Sequence, residues 1–365
     1  ALGRAAWRTF RTIAHEQEML SLVVAASVLY ALFYPAPYLH QVLRDEPVLL
    51  VDRDHTPMSR RFARWLDATE GVAVTGRTAD LEAAQAAVRA GTAGGVVLIP
   101  QDFERHLLRR EPATLTTYAD GSYLLVRNTV AGSVSAVAAA LGAGITMRPA
   151  PVRLASWPLF NPLGGYATFV VPGVFILILQ QTLLIGMATL QVIERPRAAA
   201  DPEPAWATLG GIVVVMLALY LLQAAFMFLV VFRLYGIPFH AAAGTAAVFL
   251  VPFITSTTLL GLALGELFER PESASVALVL TSVPALFLSG ISFPLENQAA
   301  WVRAIALVLP TTFGIRGFIQ IGEMGATVAE AWRSWGGLWV QTLAYGLAAA
   351  WLMRRRRRVA VSAPA

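Results

Sequence analysis

The chain has 365 residues, of which 56% are hydrophobic and only 14% are charged. Soluble domains carry about 25% charged residues, so this composition predicts a protein that resides in a lipid bilayer. Cysteine is absent, which excludes disulfides and thiolate metal sites. All 28 basic residues are arginine, and without lysine the chain has neither a P-loop nor a Schiff-base nucleophile.

The N-terminal segment, residues 1–18, predicts an amphipathic helix that lies in the cytoplasmic membrane interface. Apolar side chains from Trp7 to Ala14 share one helical face, and basic side chains from Arg4 to His15 share the other. A short lead-in helix that only anchors the chain is the alternative interpretation.

Six apolar segments have the length of about 20 residues that a helix needs to cross a hydrocarbon core of about 30 Å. They cover residues 19–38, 167–193, 207–232, 241–264, 273–291 and 335–353. Arginines precede the first segment, follow the second and form a run of five after the last. Because arginine-rich short flanks stay in the cytoplasm, both termini are predicted to be cytoplasmic.

The sequence between the first two segments predicts an extracytoplasmic α/β domain over residues 40–160. Short β-rich runs begin at Val48, Val72, Val96 and Leu115. Helical patterns alternate with them, and a longer Ala/Val-rich helix is predicted over 124–145. The fold class is therefore a polytopic helical membrane protein with six transmembrane helices and an inserted α/β domain. The predicted parts are 1–18, 19–39, 40–160, 161–353 and a basic cytoplasmic tail at 354–365.

The segment between the fifth and sixth spans, about residues 294–321, is too polar and too broken to cross the membrane. Pro310 separates two short apolar stretches. Two re-entrant helices that dip into the outer leaflet fit this pattern, because irregular backbone at that depth must be buried in protein or face water.

Neutral polar side chains interrupt two of the spans. Gln180 and Gln181 lie in the second span, and Thr255 and Thr258 lie in the fourth. Polar groups inside a membrane often line a substrate pathway. The alternative is that they form hydrogen bonds with neighbouring helices or, for threonine, with their own helix.

Gly261 and Gly265 form a Gly-x-x-x-Gly pattern in the fourth span, which predicts a close helix contact within the subunit or with a second subunit. Asp52, Asp54 and His55 are metal-ligand residue types, but their position after a strand favours a solvated turn. We predict no catalytic, cofactor or metal site.

Three stretches resemble the permeases of type-2 ATP-binding-cassette exporters, in the branch with a large periplasmic domain after the first span. They are Leu159-Phe160-Asn161-Pro162 with Val171-Pro172-Gly173, Phe287 to Asn297, and Leu309 to Ala326. Val51 to His55 and Ile99 to Phe103 are similar to the periplasmic domain of that branch. The loop from Glu194 to Trp206 departs from the acidic, glycine-bearing coupling segment of many family members.

The resemblance implies a permease dimer of identical or paralogous subunits in the bacterial inner membrane. It also implies a separate ATPase subunit, a periplasmic adaptor protein and an outer-membrane channel. The function predicted is efflux of a small apolar or amphipathic molecule. Phe293 and Arg316 join the four polar residues above as the candidate substrate pathway. Candidate ATPase-coupling residues are Arg8, Arg11, Glu194, Arg195, Glu266 and Glu269.

A membrane receptor or scaffold is the alternative function, with the α/β domain binding an extracytoplasmic ligand or partner. Such a protein would need no ATPase, and the broken segment after the fifth span would have no role in it.

Overall fold

The computed structural model describes residues 1–38, 42–119, 124–146, 165–200 and 204–362. At 124, 144–146, 197–200 and 357–362 it describes the backbone alone. The chain divides into two compact units. One is formed by Ala1–Leu39 and Leu159–Ala365, and the other by His40–Pro158. The first is helical, and the second contains a β-sheet.

Two N-terminal helices begin the helical unit: α1 (Leu2–His15) and α2 (Gln17–Tyr38), which contains a π-helical turn at Ser21–Ala25. The structure has a helix in this segment, and its apolar side chains have different surroundings. Ile13 is buried, whereas Trp7 and Phe10 stack on each other at the surface with ring centroids 5.7 Å apart.

The second unit is built on a four-stranded sheet. Its elements are β1 (Glu46–Asp52), α3 (Pro57–Asp67), β2 (Val72–Thr78), α4 (Leu81–Arg89), β3 (Gly95–Ile99), α5 (Phe103–Arg109), β4 (Thr116–Ala119) and α6 (Leu124–Thr146). The strand order is β2-β1-β3-β4. The first three are parallel, and β4 runs antiparallel to β3. The predicted alternation of strands and helices is confirmed.

Helices cover both faces of this sheet. The buried side chains of β1 alternate between the two faces. Val48 and Leu50 pack in one cluster with α3, α5 and α6. Leu49 and Val51 pack on the other face with Ala84 of α4. A parallel strand with both faces covered reads as a continuous apolar run, as Val48 to Val51 does.

Among the described residues, the helical unit has seven further helices: α7 (Tyr166–Ala200), α8 (Ala205–Leu234), α9 (Ala243–Gly265), α10 (Pro271–Leu288), α11 (Ala300–Ala306), α12 (Pro310–Gly322) and α13 (Trp332–Ser362). Helix α7 lies at the centre and packs against α2, α9, α10 and α12. Of its most apolar 18 residues, 89% are buried, compared with 17% for α10. A helix that is apolar on all sides is expected in such a central position.

Six described helices are long and apolar enough to cross a membrane, namely α2, α6, α7, α8, α9 and α10. Five of them coincide with predicted spans. The sixth is α6, which the sequence placed in the α/β domain and which packs on the sheet through Val130 and Val134. The predicted last span, within α13, is not among the six, because Gln341, Thr342 and several glycines and aromatics dilute its hydropathy.

The segment between α10 and α13 is broken, but the prediction that it is too polar to cross is wrong, because α11 and α12 together are long and apolar enough for one bent membrane span. A 3-10 turn at Leu295–Asn297 precedes α11, and α12 begins at Pro310. The axes of α11 and α12 differ by 83°. Pro310 lies in the first turn of α12, where its fixed φ fits the helix and its missing N–H costs no hydrogen bond.

Candidate functional site

A pocket of about 340 Å³ lies between the start of α7, the end of α10, the 3-10 turn and α12. We call it the mouth pocket. Its walls are mostly apolar and include Phe169, Ile291 and Ile319. One ion pair lines it: Arg316 Nη2 lies 3.2 Å from Glu296 Oε1, and both side chains are more than half exposed. The pocket therefore offers an apolar surface beside a charged pair.

Two glycines shape the mouth pocket. Gly290 turns the chain after α10 with φ of 90°, a conformation that L-residues rarely adopt. Gly173 lets Ile291 approach α7, since a Cβ atom there would lie 2.5 Å from Ile291 Cδ1. Local backbone chemistry thus brings the segment after α10 against α7.

Two buried amides lie deeper in the helical unit. Gln180 is fully buried, Gln181 is 8% exposed, and none of their four side-chain nitrogen and oxygen atoms has a hydrogen-bond partner within the described residues. Leaving a buried polar group unpaired costs about 1–3 kcal/mol. Such groups need a physical explanation, and a partner in another conformation or a bound molecule would supply one.

The Thr311 hydroxyl is a further buried group without a hydrogen-bond partner among the described residues. Helices α7 and α12 run antiparallel beside each other, because Ile315 lies against Gly173 and Gly314 lies against Ile176. One helical turn further, this pairing brings Thr311 to the level of Gln180. The unpaired groups of Gln180 and Thr311 therefore lie at a similar depth of the unit.

The threonines of α9 behave differently from the two glutamines. Thr255 Oγ1 donates to the Val251 carbonyl at 2.7 Å, and Thr258 Oγ1 donates to the Ile254 carbonyl at 2.7 Å. Their hydroxyls are satisfied by their own helix, which is the alternative that the sequence left open.

An ion-pair network joins four helices at the opposite end of α7. Glu194 accepts a hydrogen bond of 2.5 Å from Thr12 Oγ1 of α1 and lies 3.4 Å from Arg8 Nε. The next residue, Arg195, donates to the carbonyls of Gly265 and Phe268 at 2.8 and 2.9 Å. It thereby caps the carboxyl end of α9, where a cation is favoured by the helix dipole.

Glu266 is the centre of the second half of this network and is only 5% exposed. Gln191 Nε2 donates to its carboxylate at 2.6 Å, and the guanidinium groups of Arg195 and Arg356 lie 3.9 and 3.6 Å from it. A buried carboxylate needs such partners, because its desolvation is otherwise unfavourable by several kcal/mol. We call these residues the terminal network: Arg8, Thr12, Gln191, Glu194, Arg195, Glu266 and Arg356.

Four of the six predicted coupling residues thus meet in the terminal network, namely Arg8, Glu194, Arg195 and Glu266. Arg11 lies beside it in an exposed groove, and Glu269 is exposed. Sequence reasoning missed Thr12, Gln191 and Arg356. The sequence indicates only that the arginine run stays in the cytoplasm, and no local pattern predicts that one of its members pairs with Glu266.

The predicted pathway residues do not form one continuous site. Arg316 lines the mouth pocket, whereas Phe293 is about half exposed and lies outside its lining. Gln180, Thr255 and Thr258 lie inside the helical bundle.

Gly261 and Gly265 both face α7. A Cβ atom at Gly261 would lie 2.7 Å from Met187 Cβ, and one at Gly265 would lie 2.7 Å from the Ala188 carbonyl oxygen. The Gly-x-x-x-Gly pattern therefore packs within this chain.

In the acidic turn after β1, the Asp52 carboxylate accepts hydrogen bonds from nearby residues of the same chain segment. Asp52 accepts hydrogen bonds from the backbone N–H groups of Asp54 and His55, and from Ser59 Oγ at 2.8 Å. Within the described ranges no three His, Asp or Glu side chains are grouped as metal ligands would be.

The six described helices that are long and apolar enough to cross a membrane are those of a multi-pass membrane protein. The family model of the ABC-2 family transporter protein matches residues 18–351, and the chain belongs to this family. It is similar to YbhR of Escherichia coli strain K12, named "Probable multidrug ABC transporter permease YbhR". The two are 27% identical over 281 residues, and the match covers 72% of this chain and 73% of YbhR. It is also 25% identical to "Probable multidrug ABC transporter permease YbhS" of the same strain, over 62% of this chain and 64% of YbhS.

Proposed function

We propose that this chain is the membrane-spanning permease of an ATP-driven exporter of small apolar or amphipathic molecules. Membership in the ABC-2 family implies a separate ATPase and a second permease. The observation that supports export of amphipathic molecules is the mouth pocket, where an apolar wall lies beside the Glu296–Arg316 pair. In this proposal the permease lies in the bacterial inner membrane, and a periplasmic adaptor and an outer-membrane channel complete the assembly.

The proposed topology has both termini in the cytoplasm and six crossings: α2, α7, α8, α9, α10 and α13. Helix α13 is preferred to α6 as the sixth crossing because it packs along α9 and α12, and arginines follow its apolar part. Helix α6 instead buries Val130, Val134 and Val137 against the sheet. The α/β unit then lies outside the cytoplasm, between the first and second crossings.

The terminal network supports a coupling role for α1 and the end of α7. In this proposal the ATPase contacts Arg8, Arg11, Glu194 and the exposed Glu269. Because Glu194 and Arg195 are consecutive, a displacement of α1 is transmitted to α9 and α13 through their ion pairs. Rocking of two permeases would then open the pathway, and Gln180 and Gln181 would gain partners from substrate or water in the opened state.

Co-purification tests this function. The chain is expressed with the ATPase encoded beside it, captured through this subunit, and assayed for vanadate-sensitive ATP hydrolysis and for export of a fluorescent amphiphile from vesicles. A stable complex with both activities is expected. A chain that purifies without an ATPase would favour the receptor or scaffold function.

A pocket-filling variant examines the mouth pocket itself. Ile319→Trp adds volume at the pocket wall and should reduce export while the complex still assembles. Val248→Trp is the matched control, because Val248 is an exposed apolar side chain of α9 that does not line the pocket. Equal export by both variants would remove the pocket from the pathway.

A further inference from the structure

The α/β unit carries a cleft of about 690 Å³ at the carboxyl ends of β1 and β3. We call it the sheet cleft. Its lining comes from the two loops that follow these strands and from α5, and consists of Arg53, Asp54, Thr56, Gln101, Asp102, Glu104, Arg105, Leu108 and Arg109. Its volume lies in the range of about 300–1,000 Å³ that is typical of small-molecule sites.

The position of the sheet cleft follows from the topology. After β1 the chain leaves towards β2, and after β3 it leaves towards β4, on the opposite side of the sheet. In open α/β sheets, ligands bind outside the carboxyl ends of the strands at the point where successive connections diverge. The sheet cleft occupies this point.

The walls of the sheet cleft are fixed by hydrogen bonds. Asp52 holds the loop after β1, as described above. Asp54 Oδ2 accepts from Thr56 Oγ1 at 2.5 Å and from the Glu104 backbone N–H at 3.1 Å, which ties this loop to the start of α5. The two loops therefore hold their relative positions without a ligand.

The charges inside the cleft are unevenly paired. Asp102 lies 3.3 Å from Arg105. In contrast, the side chains of Arg53, Arg109 and Glu104 have no hydrogen-bond or ion-pair partner within the described part of the chain. Glu104 is half-buried, whereas the two arginines are exposed. One carboxylate on the wall and two guanidinium groups at the rim are thus available to a ligand.

We propose that the sheet cleft binds a zwitterionic small molecule of the amino-acid or short-peptide class. The ammonium group of such a ligand pairs with Glu104, and its carboxylate pairs with the guanidinium groups of Arg53 and Arg109, which match a carboxylate in two-pronged geometry. Leu108, which is 68% exposed, offers an apolar contact to a side chain of the ligand. This proposal is independent of the exporter function.

Calorimetric titration of the full purified chain with the tripeptide Ala-Leu-Ala tests the proposal. We expect saturable binding that weakens about tenfold when the peptide is N-acetylated, and about tenfold when it is C-amidated, because each change removes one charge-assisted contact. These peptide controls need no protein variant, so a folding defect cannot obscure them. No saturable binding, or equal binding of all three peptides, would overturn the proposal.

Protein variants then assign the contacts. E104Q should weaken binding of Ala-Leu-Ala but not of its N-acetylated form, and the double variant R53Q/R109Q should weaken it but not the C-amidated form. R89Q is the control, because Arg89 is exposed at the end of α4 that lies at the amino ends of the strands. Losses in R89Q equal to those in R53Q/R109Q would show a general charge effect and contradict the assignment.

Discussion

Arg356 and Glu266 connect the basic end of α13 to the carboxyl end of α9, with Arg356 Nε 3.6 Å from Glu266 Oε2. The carboxylate is almost fully buried, and the arginine is 41% exposed. A run of arginines that local sequence assigns to membrane anchoring therefore also neutralises a buried acid, and the last helix of the unit is attached to α9 by a charge contact.

Replacing Arg356 by glutamine is expected to lower the stability of the helical unit by about 1 kcal/mol. Partly exposed ion pairs contribute about this much, and Arg195 and Gln191 still compensate Glu266. The measurement is the thermal melting midpoint of the purified chain in detergent. R354Q is the control, because Arg354 is exposed and its replacement removes the same charge. Equal midpoints for the two variants would show that the contact contributes nothing.

Gly265→Ala is expected to destabilise the contact between α7 and α9 by about 1–3 kcal/mol, the usual cost of overpacking. The added methyl group would lie 2.7 Å from the Ala188 carbonyl oxygen, which is backbone and cannot move aside cheaply. Gly244→Ala in the first turn of α9 meets no atom within 4 Å. It should be neutral or stabilising by about 0.5–1 kcal/mol, as alanine favours helix. A loss of melting temperature in both variants would point to the helix itself rather than to the contact.

Gln180→Leu is expected to stabilise the resting protein, because it replaces an unpaired buried amide with an apolar group of similar size. Gln191→Leu is the matched comparison and should destabilise it by about 1.5–3 kcal/mol, since its amide donates to the charged Glu266 at 2.6 Å. If the amide of Gln180 contacts substrate, Q180L should also reduce export. A decrease in stability for Q180L would mean that the amide has a partner.

Stability at neutral pH is expected to depend on Glu323, which follows α12 outside the candidate spans. Burial raises the pKa of this carboxyl group to about 7. Because the folded pKa lies above the ordinary value of 4.5, the folded state holds the proton more tightly. The stability that the protonated Glu323 carboxyl group contributes is therefore fully present below pH 4.5 and is lost as the pH rises to about 7. Melting midpoints of the wild type should fall between pH 5 and 8, and E323Q should remove part of that fall. Identical pH profiles for the two proteins would contradict the assignment.

Local patterns in the sequence predict most of the fold. The run from Val48 to Val51 predicted a buried strand, and Pro310 predicted the break between α11 and α12, because both signals act within a few residues. Hydropathy was less reliable for whole helices. It favours α6 over α13 as a membrane span, although α6 packs on the sheet and α13 packs in the helical unit.

The candidate sites are harder to predict from the sequence than the fold is. Gln180 and Thr255 look equivalent in sequence, since both are neutral polar residues in an apolar helix. A threonine hydroxyl reaches a carbonyl of its own helix, whereas the longer glutamine amide does not, and only the packed neighbours determine whether it finds a partner. The loops after β1 and β3 are likewise ordinary turns in sequence, and the strand order alone brings them together.

Composition and residue patterns predict that this is a membrane protein with an α/β unit between apolar segments, and they exclude nucleotide binding through a P-loop lysine. These properties depend on composition, on residue spacing and on segment length, which are all local. The contact of Glu266 with Arg356, the packing of the α9 glycines on α7, and the cleft that Arg53 and Glu104 line follow from the folded structure and not from local sequence. Those contacts join residues far apart in the chain, and they form because buried charges and close-packed backbones accept few arrangements.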